Sequence, residues 1–374
     1  MPNVLFIVPS LRRAGAETQI IDLVNSLRAP DIHVELLCFQ DDLSQRDRIS
    51  HAVRFHHVRR RGKYDLSFIT GIAAIIERQE IDIVHGTLEF SVLVGWLACR
   101  RAKHKPHLIG AIHTTLLRGL KEQVHDRLIY QWIFRQCAAI VFVCQKQADV
   151  WVQRYPFLEK KSTVIHNGID LEKFTVELSP GAAEDYLLGH GVPDGSCIIT
   201  CIAGFRPEKG HDLLIEAFRR LDDNAHLFLA GDGERRASIE SLVEQTGLSG
   251  RVHFLGNVAD VRPLLRATDI TVLASTSVET FSIAMLESMA MGVPMVAPDI
   301  GGLSEAIAND QTGWIYPAGD VDSLAILLAE GAQNREKLKM MGARARDQVV
   351  RRFSKEAMAD AMASLLRTVA ERAL

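Results

Sequence analysis

The sequence predicts an α/β protein built of two doubly wound domains, and three observations carry that reading. First, short β-branched apolar runs recur along the chain. They are VLFIVPSL, HVELLCF, IDIVHG, HLIGAIH, AAIVFVC and STVIHNG in the first half, then CIITCIAGF, AHLFLAGDG, RVHFLG, DITVLAS and PMVAP in the second. Second, amphipathic stretches of about 10–15 residues separate these runs, and crossover helices of that length join parallel strands. Third, the alternation breaks once, in the polar stretch TVELSPGAAEDYLLGHGVP, and 374 residues exceed what one core comfortably holds. A first domain is therefore expected at 1–175 and a second at 176–354. A C-terminal helix at about 355–374 is expected to pack back on the first.

In order, the first domain should carry helices at 16–27, 66–79, 89–102 and 121–136, and the second at 211–221, 234–246, 260–267 and 281–291. Helices then dominate to the C-terminus. The last of them, SKEAMADAMASLLRTVAERAL, has Ser354 placed as an N-cap, with Met358, Met362, Leu365 and Val369 on one face. In doubly wound sheets ligands bind beyond the carboxyl ends of the strands, so the loops there should carry the function.

Composition narrows the class. The chain is 47% hydrophobic and 24% charged, as for an ordinary globular protein. Its longest apolar run, LEFSVLVGWLAC, is too short to span a bilayer and contains a glutamate. MPNVLFIVPSLRRAG lacks a basic leader and reads as a strand rather than a signal peptide. Six cysteines lie scattered without a CxxC pair, which points to reduced core residues, a cytoplasmic setting and no metal cluster. Residues 1–178 hold 24 Lys and Arg against 19 Asp and Glu, leaving 19 against 27 for the rest. The basic half could favour an anionic partner or a lipid surface, or simply be a different solvated surface. Its runs RRRGK and RRAKHK lack interleaved aromatics, so nucleic acid is not an expected partner.

Three loops of the second domain hold the candidate chemistry. GFRPEKGHD offers Arg206 and Lys209 just before a helix, a pattern that suits a phosphate or is merely a loop. AGDGERR departs from a dinucleotide fingerprint and reads as a tight strand-to-helix turn. In STSVETFSIAMLESMAMGVPMVAP, Glu279 falls in the loop before a helix, where the N–H groups around Phe281, Ser282 and Ile283 are open to an anion. Glu287 lies about two turns on, beside the small residues Ser288, Ala290 and Gly292. Its carboxylate suits a vicinal diol such as a ribose. A salt-bridge partner and a helix cap are the plain structural alternatives for Glu287 and Glu279.

An E-x7-E pair between a strand and GVPMVAPDIGG resembles the retaining glycosyltransferases of family 4, which have the GT-B fold of two Rossmann-like domains facing an interdomain cleft. VPSLRRAGAETQ, IDIVHG, GAIHTT, VIHNGID, GFRPEKGHDLLIEAF, LAGDGE and VHFLGNV stand in the family's order, and the likeness covers nearly the whole chain. The resemblance implies that Glu287 binds the donor ribose, Glu279 the transferred sugar, and the N–H groups at Ser282 and Ile283 the diphosphate. It further implies that Lys209 neutralises the diphosphate, that Gly15 lets the first loop approach it, and that His113 touches the sugar. Three positions depart from the pattern. Ala14 replaces a glycine of the first loop, Thr280 replaces the glycine after the first glutamate, and Gly204 stands where a diphosphate-binding arginine is usual. Arg206 is the expected substitute for that arginine.

The resemblance also implies a metal-independent hexosyltransferase without a cofactor. Its co-substrate would be a nucleotide sugar, UDP ahead of GDP, and its acceptor a glycan or a lipid-linked glycan of cell-surface polysaccharide or lipopolysaccharide synthesis. The basic runs at 54–65 and 100–107 would dock it at the inner face of the cell membrane. A nucleotide-sugar epimerase or hydrolase of the same fold, or a non-catalytic sugar-nucleotide-binding subunit, would share most of these residues.

Overall fold

A computed structural model describes residues 1–27, 29–62, 64–113, 129–175 and 189–371. Part of the expected helix at 121–136 and most of the polar stretch after Thr175 thus lie outside the described residues. By contacts the chain divides into two compact units, Met1–Gly168 with Lys355–Leu374, and Ile169–Ser354. The change of unit falls at Gly168, ahead of the boundary expected at 175.

The first unit is a parallel sheet of seven strands, β1 (Asn3–Val8), β2 (His33–Cys38), β3 (Arg54–His57), β4 (Ile83–Thr87), β5 (His107–Ile112), β6 (Ala139–Phe142) and β7 (Ser162–Val164). They run in the order β3-β2-β1-β4-β5-β6-β7, so the direction of winding switches beside β1. Helices α1 (Gly15–Ser26), α2 (Ser67–Arg78), α3 (Glu89–Arg101), α4 (Gln131–Gln136) and α5 (Gln145–Arg154) make the crossovers described. Central strands are buried on both faces, which is why β1 reads as an unbroken apolar run: Val4 through Val8 are fully buried.

The second unit repeats the plan with β8 (Cys197–Ile202), β9 (Ala225–Ala230), β10 (Val252–Gly256), β11 (Ile270–Val272), β12 (Met295–Pro298) and β13 (Gly313–Tyr316), ordered β10-β9-β8-β11-β12-β13. Its helices are α6 (His211–Phe218), α7 (Arg236–Gln245), α8 (Arg262–Arg266), α9 (Ile283–Ala290), α10 (Leu303–Ala306), α11 (Val321–Gln333) and α12 (Arg335–Arg352). The last helix, α13 (Lys355–Glu371), belongs to the first unit. There Met358, Met362, Leu366 and Val369 join the cluster formed by Ile20, Val24 and Ile83, and Arg367 donates to Asp31 at 2.7 and 2.9 Å.

The strands β3 and β13 and the helix α5 were not anticipated by the sequence pattern. Topology places the two basic runs apart. The chain after β3, from Val58, leaves the carboxyl end of the parallel sheet, whereas Arg101–Pro106 leads into the amino end of β5. The two basic runs therefore lie at opposite ends of the same strands and do not form one docking patch. Some of the charge of the 54–65 segment is paired: Arg54 and His56 of β3 contact Glu35 at 3.2 and 2.6 Å, and Arg59 contacts Asp41 at 2.8 Å. Among the described residues no helix is long and apolar enough to cross a membrane.

Candidate functional site

At the carboxyl ends of β8 and β11, two loops of the second unit are fastened together. A 3-10 turn over Pro207–Lys209 comes after β8, and the Thr276 N–H donates to the Glu208 carbonyl at 2.9 Å. Gly210 makes this closeness possible. It sits at φ 60°, and a Cβ there would lie 2.1 Å from the Ala274 carbonyl oxygen. Across the junction the Lys209 ammonium pairs with Glu279 Oε1, and the Ser275 hydroxyl donates to the same oxygen at 2.7 Å. Both members of the pair are well shielded, with side-chain exposures of 14% and 8%. A cation and an anion from positions 209 and 279 are thus held at one point, and Ser275 is a member of the site that the motifs did not indicate.

The loop that presents Glu279 is braced from behind. Gly301, at φ 55°, would bring a Cβ to 2.2 Å from the Glu279 carbonyl oxygen, and the Gly302 N–H donates to the Thr280 carbonyl at 2.6 Å. Phe281 anchors the next step inward, its ring 5.3 Å from that of Phe353. Helix α9 then begins with Ser282 as its N-cap, the hydroxyl accepting from the Met285 N–H at 3.3 Å. The amides at Ser282 and Ile283 belong to the first turn, which has no carbonyl of its own to meet them. Such a turn favours an anion.

Glu287 is partly buried further along α9, and loss of water raises its carboxyl to about 7. The Lys173 ammonium nearby favours the ionised form and Asp260 opposes it. These flanking groups are themselves tied: Asp260 pairs with Arg262 at 2.6 Å, and Arg262 donates to the Lys173 carbonyl at 3.2 Å. The small neighbours of Glu287 take part in packing. Ser288 is fully buried and donates to the Val293 carbonyl at 3.1 Å. Gly292 meets helix α12, where a Cβ on Gly342 would lie 1.9 Å from its carbonyl oxygen. Ser288 and Gly292 thus let α9 and the turn after it pack closely.

Arg206 stands apart from the Lys209–Glu279 pair. Its side chain is 55% exposed and contacts Glu208 at 3.4 Å. At Gly204 a Cβ would have nothing closer than the Asp232 carbonyl at 3.5 Å, an ordinary contact. His211, another residue missed by the motifs, stacks on Phe205 with ring centroids 4.2 Å apart, and burial lowers it to about 4. Among the described residues no three His, Cys, Asp or Glu side chains are grouped as a metal set, and all six cysteines are buried and outside any disulfide.

Gly15 and His113 lie in the first unit. Gly15 is exposed at the start of α1. His113 comes just after the carboxyl end of β5, and burial pushes its imidazole down to about 4. It lines a cavity of about 40 Å3 with His85, Thr87 and Asn167, closed on the other side by α1 and by Met358 and Met362 of α13. His85 is also held neutral, lowered to about 3, and its Nε2 is buried with no hydrogen-bond partner among the described residues.

Comparison with known proteins gives this arrangement its setting. Residues 13–173 match the family model "Glycosyltransferase Family 4", and residues 187–348 match "Glycosyl transferases group 1". N-acetyl-alpha-D-glucosaminyl L-malate synthase of Bacillus anthracis is 25% identical over 78% of this chain and 76% of its own length. UDP-Gal:alpha-D-GlcNAc-diphosphoundecaprenol alpha-1,3-galactosyltransferase of Escherichia coli is 24% identical over the same shares, 78% and 76%. The lipopolysaccharide core biosynthesis glycosyltransferase LpsE of Rhizobium meliloti is 33% identical over 46% of this chain and 51% of its own. Among solved structures, Anabaena Alr3699/HepE in complex with UDP superposes with a TM-score of 0.86 at 21% identity, covering 98% of this chain and 100% of that one. Sucrose-phosphate synthase from Thermosynechococcus elongatus does so with a TM-score of 0.83 at 20% identity, covering 99% of both. With glycosyltransferase models matching both halves and two Rossmann-like sheets in the order found, the chain is a glycosyltransferase of the GT-B fold.

Proposed function

We propose that the protein transfers a hexosyl group from a nucleotide diphosphate, UDP ahead of GDP, to a glycan or lipid-linked acceptor with retention at the anomeric carbon. The observation that carries this is the Lys209–Glu279 pair at the mouth of α9, with Glu287 further along the same helix. In this reading the Lys209 ammonium and the first-turn amides at Ser282 and Ile283 take the diphosphate. Glu287 accepts from the ribose hydroxyls, and Glu279 accepts from hydroxyls of the transferred sugar. Arg206, exposed beside this loop, adds charge where Gly204 supplies none, while Gly15 and His113 are assigned to the donor phosphate and the sugar.

The chemistry needs little else. The bond from the anomeric carbon to the phosphate oxygen breaks, and negative charge grows on that oxygen, which a cation and fixed amides stabilise. The acceptor oxygen bonds the same carbon on the same face and gives its proton to the departing phosphate, so no side chain need act as a base. A divalent ion has no part in this scheme, and a chelator should leave turnover unchanged. The names of relatives that act on a diphosphoundecaprenol-linked sugar and in lipopolysaccharide core synthesis support a lipid-linked or lipopolysaccharide-type acceptor.

Retention can be tested without knowing the acceptor. Proton NMR of slow UDP-glucose hydrolysis should show the α anomer of glucose first, with mutarotation afterwards. First appearance of the β anomer would overturn the retaining mechanism, and appearance of an epimeric nucleotide sugar would favour an epimerase.

A further inference from the structure

The end of strand β5, from which His113 emerges, is held by a side chain rather than by sheet pairing. β5 and β6 pair as far as Ile112 and Phe142 and then part. In the gap lies the amide of Gln147, the third residue of α5, fully buried. Its Nε2 donates to the Ile112 carbonyl at 3.0 Å, and its Oε1 accepts from the Val143 N–H at 2.9 Å. The glutamine therefore adds one more rung to the ladder after the strands have separated. A second buried glutamine holds a single loop residue nearby. Gln19 of α1 donates to the Gly168 carbonyl at 3.0 Å and accepts from the Gly168 N–H at 2.9 Å, next to Asn167. His113 and Asn167 line the same small cavity.

We propose that Gln147 is a positioning residue that fixes the backbone of Ile112 and thereby the placement of the His113 imidazole. The proposal rests on the reading in which His113 meets the transferred sugar. A buried amide satisfied at both ends has one orientation, because turning it would oppose donor to donor and acceptor to acceptor. Ile112 is the residue before His113, so a backbone shift at its carbonyl reaches the imidazole directly. A displacement of about 1 Å in a group that orients substrate can lower turnover a hundredfold. Packing needs alone do not account for the residue. A fully buried position on a helix suits an apolar side chain equally well, unless the two backbone groups it meets must be satisfied.

The test uses the whole chain, UDP-glucose hydrolysis as the activity, and histidine labelled with 15N, the His113 signal being assigned by its loss in His113→Ala. Gln147→Met keeps length and volume while removing both hydrogen bonds. It should shift the His113 ring resonances and lower kcat by about tenfold or more with KM changed less than about twofold. In the His113→Ala background it should have no further effect on kcat. Unshifted His113 signals, or kcat losses that multiply in the double variant, would overturn the proposal. Should Gln147→Met not fold, Gln147→Glu serves instead. Ionised, it accepts from Val143 but cannot donate to Ile112, so its kcat should fall as pH rises, more steeply than for the unaltered protein. A parallel pH profile would contradict the proposal. If His113→Ala leaves hydrolysis unchanged, the assignment of His113 to the sugar fails, while the NMR comparison still decides whether Gln147 places the ring.

Discussion

Burial holds the Glu287 carboxyl up at about 7, above the usual value of 4.5, and this has two consequences of opposite kind. In the folded protein the protonated form is favoured. Its contribution to stability is therefore complete below about 4.5 and lost as pH rises through 7. Thermal unfolding of Glu287→Gln should accordingly show a gain over the unaltered protein that grows between pH 5 and pH 8. A gain independent of pH would contradict the assigned environment. Donor binding runs the other way, since the ionised form is the better acceptor for two hydroxyls. The pairing of Lys209 gives a second prediction. Lys209→Met leaves Glu279 shielded beside Ser275 without its cation, which should cost about 3 kcal/mol. The double variant Lys209→Met, Glu279→Gln should recover most of that stability but no activity. A third concerns the position with room: Gly204→Arg should raise UDP-glucose turnover, and an unchanged rate would show that Lys209 and the helix amides suffice. The sequence made Glu279 and Glu287 legible through their spacing and the strand before them. It could not show that Lys209 meets Glu279, because nothing local links two loops that come together only when β8 and β11 lie side by side.

At the scale of elements, strong periodicity was legible and weak periodicity was not. Most helices and all long buried strands could be read from apolar pattern. Helix α5, QKQADVWVQR, was missed because its buried face is made by Gln147, Ala148 and Trp151, one of them an amide. Strand β3 was hidden in a basic run, its Arg54 and His56 being matched by Glu35 on the neighbouring strand. Strand β13, four residues long, shows no alternation to read, yet Trp314 and Tyr316 are buried and the Tyr316 hydroxyl donates to the Leu273 carbonyl at 3.1 Å. In α13 the expected Leu365 is only partly buried and Leu366 takes the core position. Leu366→Ala should thus destabilise the first unit by about 2–5 kcal/mol, and Leu365→Ala by distinctly less. Differential scanning calorimetry of the two variants checks the order.

For the whole molecule, the likeness of both sheets to known glycosyltransferases is what the ordered motifs foretold, but the surface was poorly legible. Charge runs read alike in sequence whether compensated or free, and topology decides which end of the sheet they occupy. If the first unit docks on an anionic leaflet through residues 100–107, alanines at Arg101 and Lys103 should weaken co-sedimentation with phosphatidylglycerol vesicles, at about 1 kcal/mol each. Alanines at Arg59 and Arg61 should leave it unchanged. The central claim is that the second unit holds a nucleotide diphosphate between Lys209 and the start of α9, with Glu287 on the ribose. Isothermal titration calorimetry of UDP against the unaltered chain and Glu287→Ala tests it most directly, carried out near pH 8, where a carboxyl held up at about 7 is mostly ionised. A saturable site weakened in the variant by about 1.5–3 kcal/mol, the worth of a charge-assisted hydrogen bond, is the predicted result. Equal affinity in the two proteins would contradict it.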